Sequence, residues 1–104
     1  MEKEKSYDII ISKRAEENLD KILSYLKSEW NESVKNSFLE KFKKLLSLLS
    51  VNPYMCQIFS EKRKIRRCLI TKQNALYYRI ADNTVQIITI HDTRRNPNTL
   101  KHNL

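Results

Sequence analysis

The sequence predicts an α+β domain in which a helical hairpin covers one face of an antiparallel sheet, in the order β, α, α, β, β, β. Three observations carry this reading. Two consecutive amphipathic stripes recur at helical spacing, three later segments rich in Ile, Val, Thr and Tyr have the period of strands, and a short β-branched run precedes them all. With 104 residues, about two thirds of the unfolded surface can be buried, sufficient for one two-layer core. A single domain is therefore expected over residues 1–104, with its core at about 7–97 and a polar tail at 98–104.

Taken in order, Tyr7-Asp8-Ile9-Ile10-Ile11 reads as the first strand, and Ser12 suits a helix N-cap because its hydroxyl can accept from an unpaired N–H of the first turn. Ala15, Leu19, Ile22, Leu23, Leu26 and Trp30 then form one helical stripe, with Glu16, Glu17, Asp20, Lys21 and Lys27 elsewhere on the wheel. Asn31 and Ser33 interrupt it. A second stripe follows at Val34, Phe38, Phe42, Leu45, Leu46 and Leu49, and Asn52-Pro53 ends it because proline disfavours helical geometry in the residue before it. So short a connection predicts an antiparallel helical hairpin.

A loop is expected from about Pro53 to Glu61, after which Ile65 to Ile70, Leu76 to Ala81 and Thr84 to His91 read as strands. Lys72-Gln73-Asn74 and Asp82-Asn83 separate them; Asp and Asn tolerate positive φ better than most residues where glycine is lacking. In the middle strand Leu76, Tyr78 and Ile80 share one face, while Tyr77 and Arg79 share the other. One sheet face should lie on the hairpin and the other should present polar and aromatic groups.

Composition narrows the function. The chain has no glycine, so phosphate-cradling loops and dinucleotide fingerprints are excluded and no cofactor is expected. Cys56 and Cys68 form no CxxC pair, and His91 and His102 supply no zinc spacing with them, so no metal is expected. The opening Met1-Glu2-Lys3-Glu4-Lys5 has no apolar segment behind it and no run is long enough to cross a bilayer. The expectation is a cytoplasmic protein with no membrane partner and two free thiols.

Residues 1–60 carry ten basic and nine acidic groups, whereas 61–104 carry ten basic and three acidic, so the blocks stand at +1 and +7 within the total of +8. The excess is densest in Glu61-Lys62-Arg63-Lys64-Ile65-Arg66-Arg67 and returns at Arg94, Arg95 and Lys101. Such a field attracts polyanions: nucleic acid, an acidic protein surface or anionic lipid.

The element order, the length and particular residues together resemble the RelE/ParE superfamily of bacterial toxins from type II toxin-antitoxin systems. The residues are Ala15, Glu17, Leu19, Ile22, Tyr25 and Trp30 in the first helix, Pro53 after the second, Arg66-Arg67, Leu76-Tyr77-Tyr78-Arg79-Ile80, and Asp92-Thr93-Arg94-Arg95-Asn96-Pro97. The resemblance runs from about Ile11 to Leu100 and implies a toxin neutralised by a cognate acidic antitoxin, with growth inhibition and plasmid stabilisation as its setting. It leaves two activities open: ParE-like inhibition of DNA gyrase, or RelE-like cleavage of mRNA on the ribosome.

RNA cleavage by an adjacent 2'-hydroxyl needs a proton acceptor, a cation at the developing phosphorane charge and a donor for the leaving oxygen. If the chain is a nuclease, Arg66, His91, Arg94 and Arg95 are the candidates. The resemblance places Cys68 where a nuclease would carry Lys and Ala75 where it would carry Arg, and no Tyr follows Arg95. These departures favour the ParE-like reading, in which Arg66, Arg67, Arg79, Arg94 and Arg95 contact the target or a polyanion. Because neighbours in a strand point to opposite faces, Arg66 and Arg67 cannot act as one clamp.

Overall fold

The computed structural model describes residues 6–94. The chain runs through β1 (Asp8–Ile11), α1 (Lys13–Glu29), α2 (Glu32–Val51), β2 (Gln57–Ser60), β3 (Ile65–Thr71), β4 (Asn74–Ala81) and β5 (Thr84–Asp92). The tail expected at 98–104, Arg95 and His102 lie outside the described residues.

Both helices start where side chains replace missing backbone partners. Ser12 Oγ accepts from the Ala15 amide at 3.0 Å and donates to the Ile88 carbonyl at 2.7 Å, so the cap of α1 also ties that helix to the sheet. Asn31, which breaks the first stripe, caps α2 by accepting from the Val34 amide at 2.9 Å. Glu16 in the first turn and Lys27 in the last turn of α1 complement its dipole. Asn52 closes α2, one residue before the proline.

The strands lie in the order β1-β5-β4-β3-β2. The β3–β4 and β4–β5 pairs are antiparallel, as expected. Two features correct the reading of the sequence. The segment read as a loop contains an edge strand, β2, which pairs antiparallel with β3 through Gln57 opposite Arg67 and Ile58 opposite Arg66. In addition β1 runs parallel to β5, with Asp8 opposite Thr84 and Ile11 opposite Ile87, so the sheet is mixed and not antiparallel throughout. The second correction follows from the first, because one extra reversal, the β2–β3 turn, changes the relative direction of the first and last strands.

The main core lies between helices and sheet: Ala15, Phe38, Phe42, Leu45 and Leu49 pack against Cys68, Ile70, Leu76, Tyr78, Val85, Ile87 and Ile90. Asn18 of α1 crosses this layer, its Oδ1 accepting from Thr89 Oγ1 at 2.8 Å and the Ile90 amide at 3.2 Å. These two residues follow an irregularity in the β4–β5 ladder, where a bulge would leave ladder donors needing other partners. A second, smaller cluster of Ile65, Ala75 and Tyr77, with Phe59 and Ile88 against it, lies on the sheet face away from the helices. Without glycine, the turns place Lys64 at φ 57° and Asp82 at φ 55°, a left-handed geometry that costs a non-glycine residue about 1–2 kcal/mol.

The expectation of free thiols is also overturned: Cys56 and Cys68 form a disulfide with Cα atoms 5.5 Å apart. Gln57 pairs with Arg67, so the next position outward brings Cys56 opposite Cys68. Twelve intervening steps in sequence become one cross-strand pair once β2 exists.

Candidate functional site

Alternation along β3 separates its two arginines. Arg67 lies on the face away from the helices, where its Nε donates to the Tyr77 hydroxyl at 3.1 Å. Tyr77 in turn meets Phe59 edge-on, with ring centroids 4.9 Å apart and planes inclined at 78°. Arg79, two positions along β4 from Tyr77, is exposed and pairs with Ile65 across the ladder. This face therefore combines two arginines with a packed apolar and aromatic floor. Leu69, two positions from Arg67, adds an exposed apolar side chain.

Arg66 occupies the opposite face. Its Nη1 donates to the Cys56 carbonyl at 2.6 Å and the Tyr54 carbonyl at 3.3 Å. Its guanidinium carbon sits 5.1 Å from the centre of the Tyr54 ring, in the range where a cation is attracted to an aromatic face. Beside it, the Tyr78 hydroxyl donates to the Pro53 carbonyl at 2.7 Å. The segment from Pro53 to Cys56 is thus fastened by three residues of β3 and β4, Arg66, Cys68 and Tyr78. Burial raises the pKa of the Tyr78 phenol, while the Arg66 charge and backbone hydrogen bonding pull it down less strongly.

At the end of β5, Arg94 forms a bidentate pair with Asp92, Nε to Oδ1 at 3.0 Å and Nη2 to Oδ2 at 2.7 Å, and its amide also bonds Oδ1 at 2.8 Å. The side-chain hydrogen bond to Asp92 raises the Arg94 pKa further. His91 is half-buried and stands opposite Ala75 in the ladder.

The sequence-based candidates consequently fall into three groups. Arg67 and Arg79 share the face away from the helices, Arg66 is turned toward the Pro53–Cys56 segment, and Arg94 is engaged by its own neighbour; besides these, His91 stands opposite Ala75 and Arg95 is outside the described residues. Cys68 and Ala75, aligned with one catalytic surface by the resemblance, lie in different clusters on opposite faces. Tyr54 and Ile58, which line a groove with Arg66 and with Lys64 of the basic run, were not singled out from sequence. The alternation of β2 would have pointed to Ile58, had that strand been recognised. Among the described residues no group of three or more His, Cys, Asp or Glu could hold a metal, and no helix is long and apolar enough to cross a membrane.

A helical hairpin on a five-stranded mixed sheet is the architecture of the small RelE/ParE-type toxins. A family model, the ParE toxin of the type II toxin-antitoxin system parDE, matches residues 9–97, and the chain belongs to that family. A chain of the chromosomal ParDE system from P. aeruginosa is similar in structure, with a TM-score of 0.71 at 15% identity over 84% of this chain and 96% of that one. The RelBE2 toxin-antitoxin complex from Mycobacterium tuberculosis gives 0.59 at 17% identity, over 91% and 100% of the two chains. The YoeB dimer from Staphylococcus aureus gives 0.58 at 18%, over 83% and 95%. The fold is common to ParE, RelE and YoeB proteins. No curated protein sequence matches the chain.

Proposed function

We propose that the chain is a ParE-like growth inhibitor that acts in the cytoplasm by binding DNA gyrase and is neutralised by an acidic antitoxin. The observation that carries this reading is the make-up of the face away from the helices. Arg67 is engaged by Tyr77, Ala75 is fully buried, and the floor is Ile65, Tyr77, Phe59 and Ile88. That is a surface for contact with another macromolecule: two cations around an apolar centre, without a cluster of cations converging on a phosphate. The departure of this face from the nuclease pattern at Ala75 supports the same reading, as does a family match of the ParE type.

The test is to express the chain without antitoxin and, in parallel, to assay the purified protein. Induction of the DNA-damage response with filamentation, and loss of gyrase supercoiling in vitro, are expected. Replacing Arg67 and Arg79 together by Ala should reduce both. Prompt translation arrest with cut transcripts, and supercoiling untouched, would replace this reading with the ribosome-dependent endonuclease.

A further inference from the structure

A groove of about 480 Å³ opens on the helix-side face at the β2 edge, lined by Tyr54, Ile58, Glu61, Lys64, Arg66 and Ile80. Three properties make it a prepared site. First, Arg66 is positioned before any ligand arrives: two backbone carbonyls hold Nη1 and the Tyr54 ring covers the guanidinium. Second, both hydrogen bonds leave from that one nitrogen. Among the described residues Nε and Nη2 have no partner and no carboxylate pairs with Arg66. Those two atoms form the side-on fork that grips a carboxylate, the arrangement Arg94 makes with Asp92 in this same chain. Third, Tyr54, Ile58 and Ile80 give the groove an apolar side next to the charged Glu61, Lys64 and Arg66, and Tyr54 and Ile58 are 58% and 48% exposed.

We propose that this groove docks an acidic segment of the antitoxin, one carboxylate held by the Nε/Nη2 fork of Arg66 and a neighbouring apolar side chain seated against Tyr54, Ile58 and Ile80. The inference rests on the toxin-antitoxin reading above and adds the place of contact. Charge favours this occupant. The adjoining turn carries Lys62, Arg63 and Lys64 against the single acid Glu61, so a segment rich in Asp and Glu is attracted and held in register. The apolar side made by Tyr54, Ile58 and Ile80 favours a peptide over a nucleic acid backbone, because phosphates and sugars bring no apolar side chain to cover it. Leu48 and Val51 near the end of α2 and Met55 beyond it are exposed apolar residues open to further contact with a partner.

The experiment measures affinity of the full chain for the small acidic protein co-encoded and co-purified with it, by calorimetry, for wild type, Arg66→Gln, Ile58→Glu and Lys43→Ala. Arg66→Gln and Ile58→Glu should each weaken binding roughly ten- to hundred-fold, as expected when a charge-assisted pair or an apolar contact is lost. Lys43→Ala, which removes one exposed α2 cation, should change it by less than about two-fold. Should Arg66→Gln fail to fold because its carbonyl anchors are gone, Ile58→Glu at its exposed site decides. Wild-type affinity in the groove variants overturns the docking site and leaves the toxin reading standing. Equal weakening by Lys43→Ala shows diffuse charge attraction and overturns the site as well. Unchanged antitoxin affinity with lost binding of a single-stranded RNA oligonucleotide would reassign the fork to phosphate. Failure of the wild-type chain to bind any co-encoded protein overturns both this inference and the reading it rests on.

Discussion

Arg66 and Arg67 are adjacent in sequence and have unrelated surroundings, because a strand sends successive side chains to opposite faces. Arg67 reaches the Tyr77 hydroxyl, and Arg66 reaches backbone carbonyls of the segment before β2. That division was legible in the sequence; which of the two faces the helices was not, since it depends on the β3–β4 register that sets Arg66 opposite Tyr78 and Arg67 opposite Tyr77. Ala75 shows a similar dependence. As a gap in a nuclease pattern it invites Ala75→Arg as a gain of function, yet its side chain is fully buried beside Ile65 and Tyr77. A guanidinium there must displace its neighbours or stay unpaired, so Ala75→Arg should lower unfolding stability by about 1–3 kcal/mol in a urea titration. Stability equal to wild type would show that this face yields more readily than its packing implies. Tyr78 makes the opposite case, a polar atom buried with a partner. Burial raises its pKa above 10.0. In the unfolded chain the phenol loses its proton first as pH rises, so the folded state then binds more protons and stability falls. The contribution is fully present below pH 10.0 and is lost as pH climbs through the native value. Unfolding free energies measured from about pH 8 to about pH 11 should decline less steeply for Tyr78→Phe than for wild type, although the variant starts lower for lack of the Pro53 bond. Parallel profiles would refute the assignment.

At the scale of elements, the two helices and β3 to β5 were legible from their periodic apolar patterns, β1 from its β-branched run, and several boundaries from residues with a defined job. Ser12 and Asn31 are caps, and Asp82 takes the left-handed turn position. The strand β2 was not legible. Gln57-Ile58-Phe59-Ser60 is four residues long, lies at an edge and sets two apolar residues side by side between polar ones, so that no period of two can register. Three consequences were lost with it: the mixed sheet, the disulfide and the groove. The disulfide links positions separated by twelve residues, and closing a loop of that size restricts the unfolded chain by about 3 kcal/mol in the chain-entropy treatment. Thiol titration of the purified chain in guanidinium without reductant should therefore detect no free thiol. Reduction, or Cys56→Ser, should lower the midpoint of unfolding and speed amide exchange in β2 before it does so in β4, which is paired on both sides. Two reactive thiols in the unreduced, unfolded protein would contradict the bridge.

Across the whole molecule, charge and fold divide the labour unevenly. The first sixty residues supply the helical hairpin and almost no net charge, and the remainder supplies most of the sheet together with +7 of the total +8. Among the apolar residues left exposed on the hairpin, Tyr25 and Trp30 on its first arm and connection stand at 58% and 67% exposure. A partner that satisfies both halves must be acidic where it meets the sheet and amphipathic where it meets the helices, the character of a segment that orders on binding. Long-range charge and short-range packing act on different rates. The charge draws the partner in before contact and is screened by salt over roughly 10 Å at about 0.1 M, whereas apolar contacts and the Arg66 fork resist separation once made. Raising salt from about 50 mM to about 500 mM should accordingly slow association with the antitoxin by roughly ten-fold or more. Dissociation should change by less than about three-fold over the same range, because a paired and partly desolvated charge is screened far less than an exposed one. Stopped-flow mixing of the purified proteins separates the two rates. An association rate indifferent to salt would mean that the basic block serves some other contact and that recognition of the antitoxin is carried by the apolar surface alone.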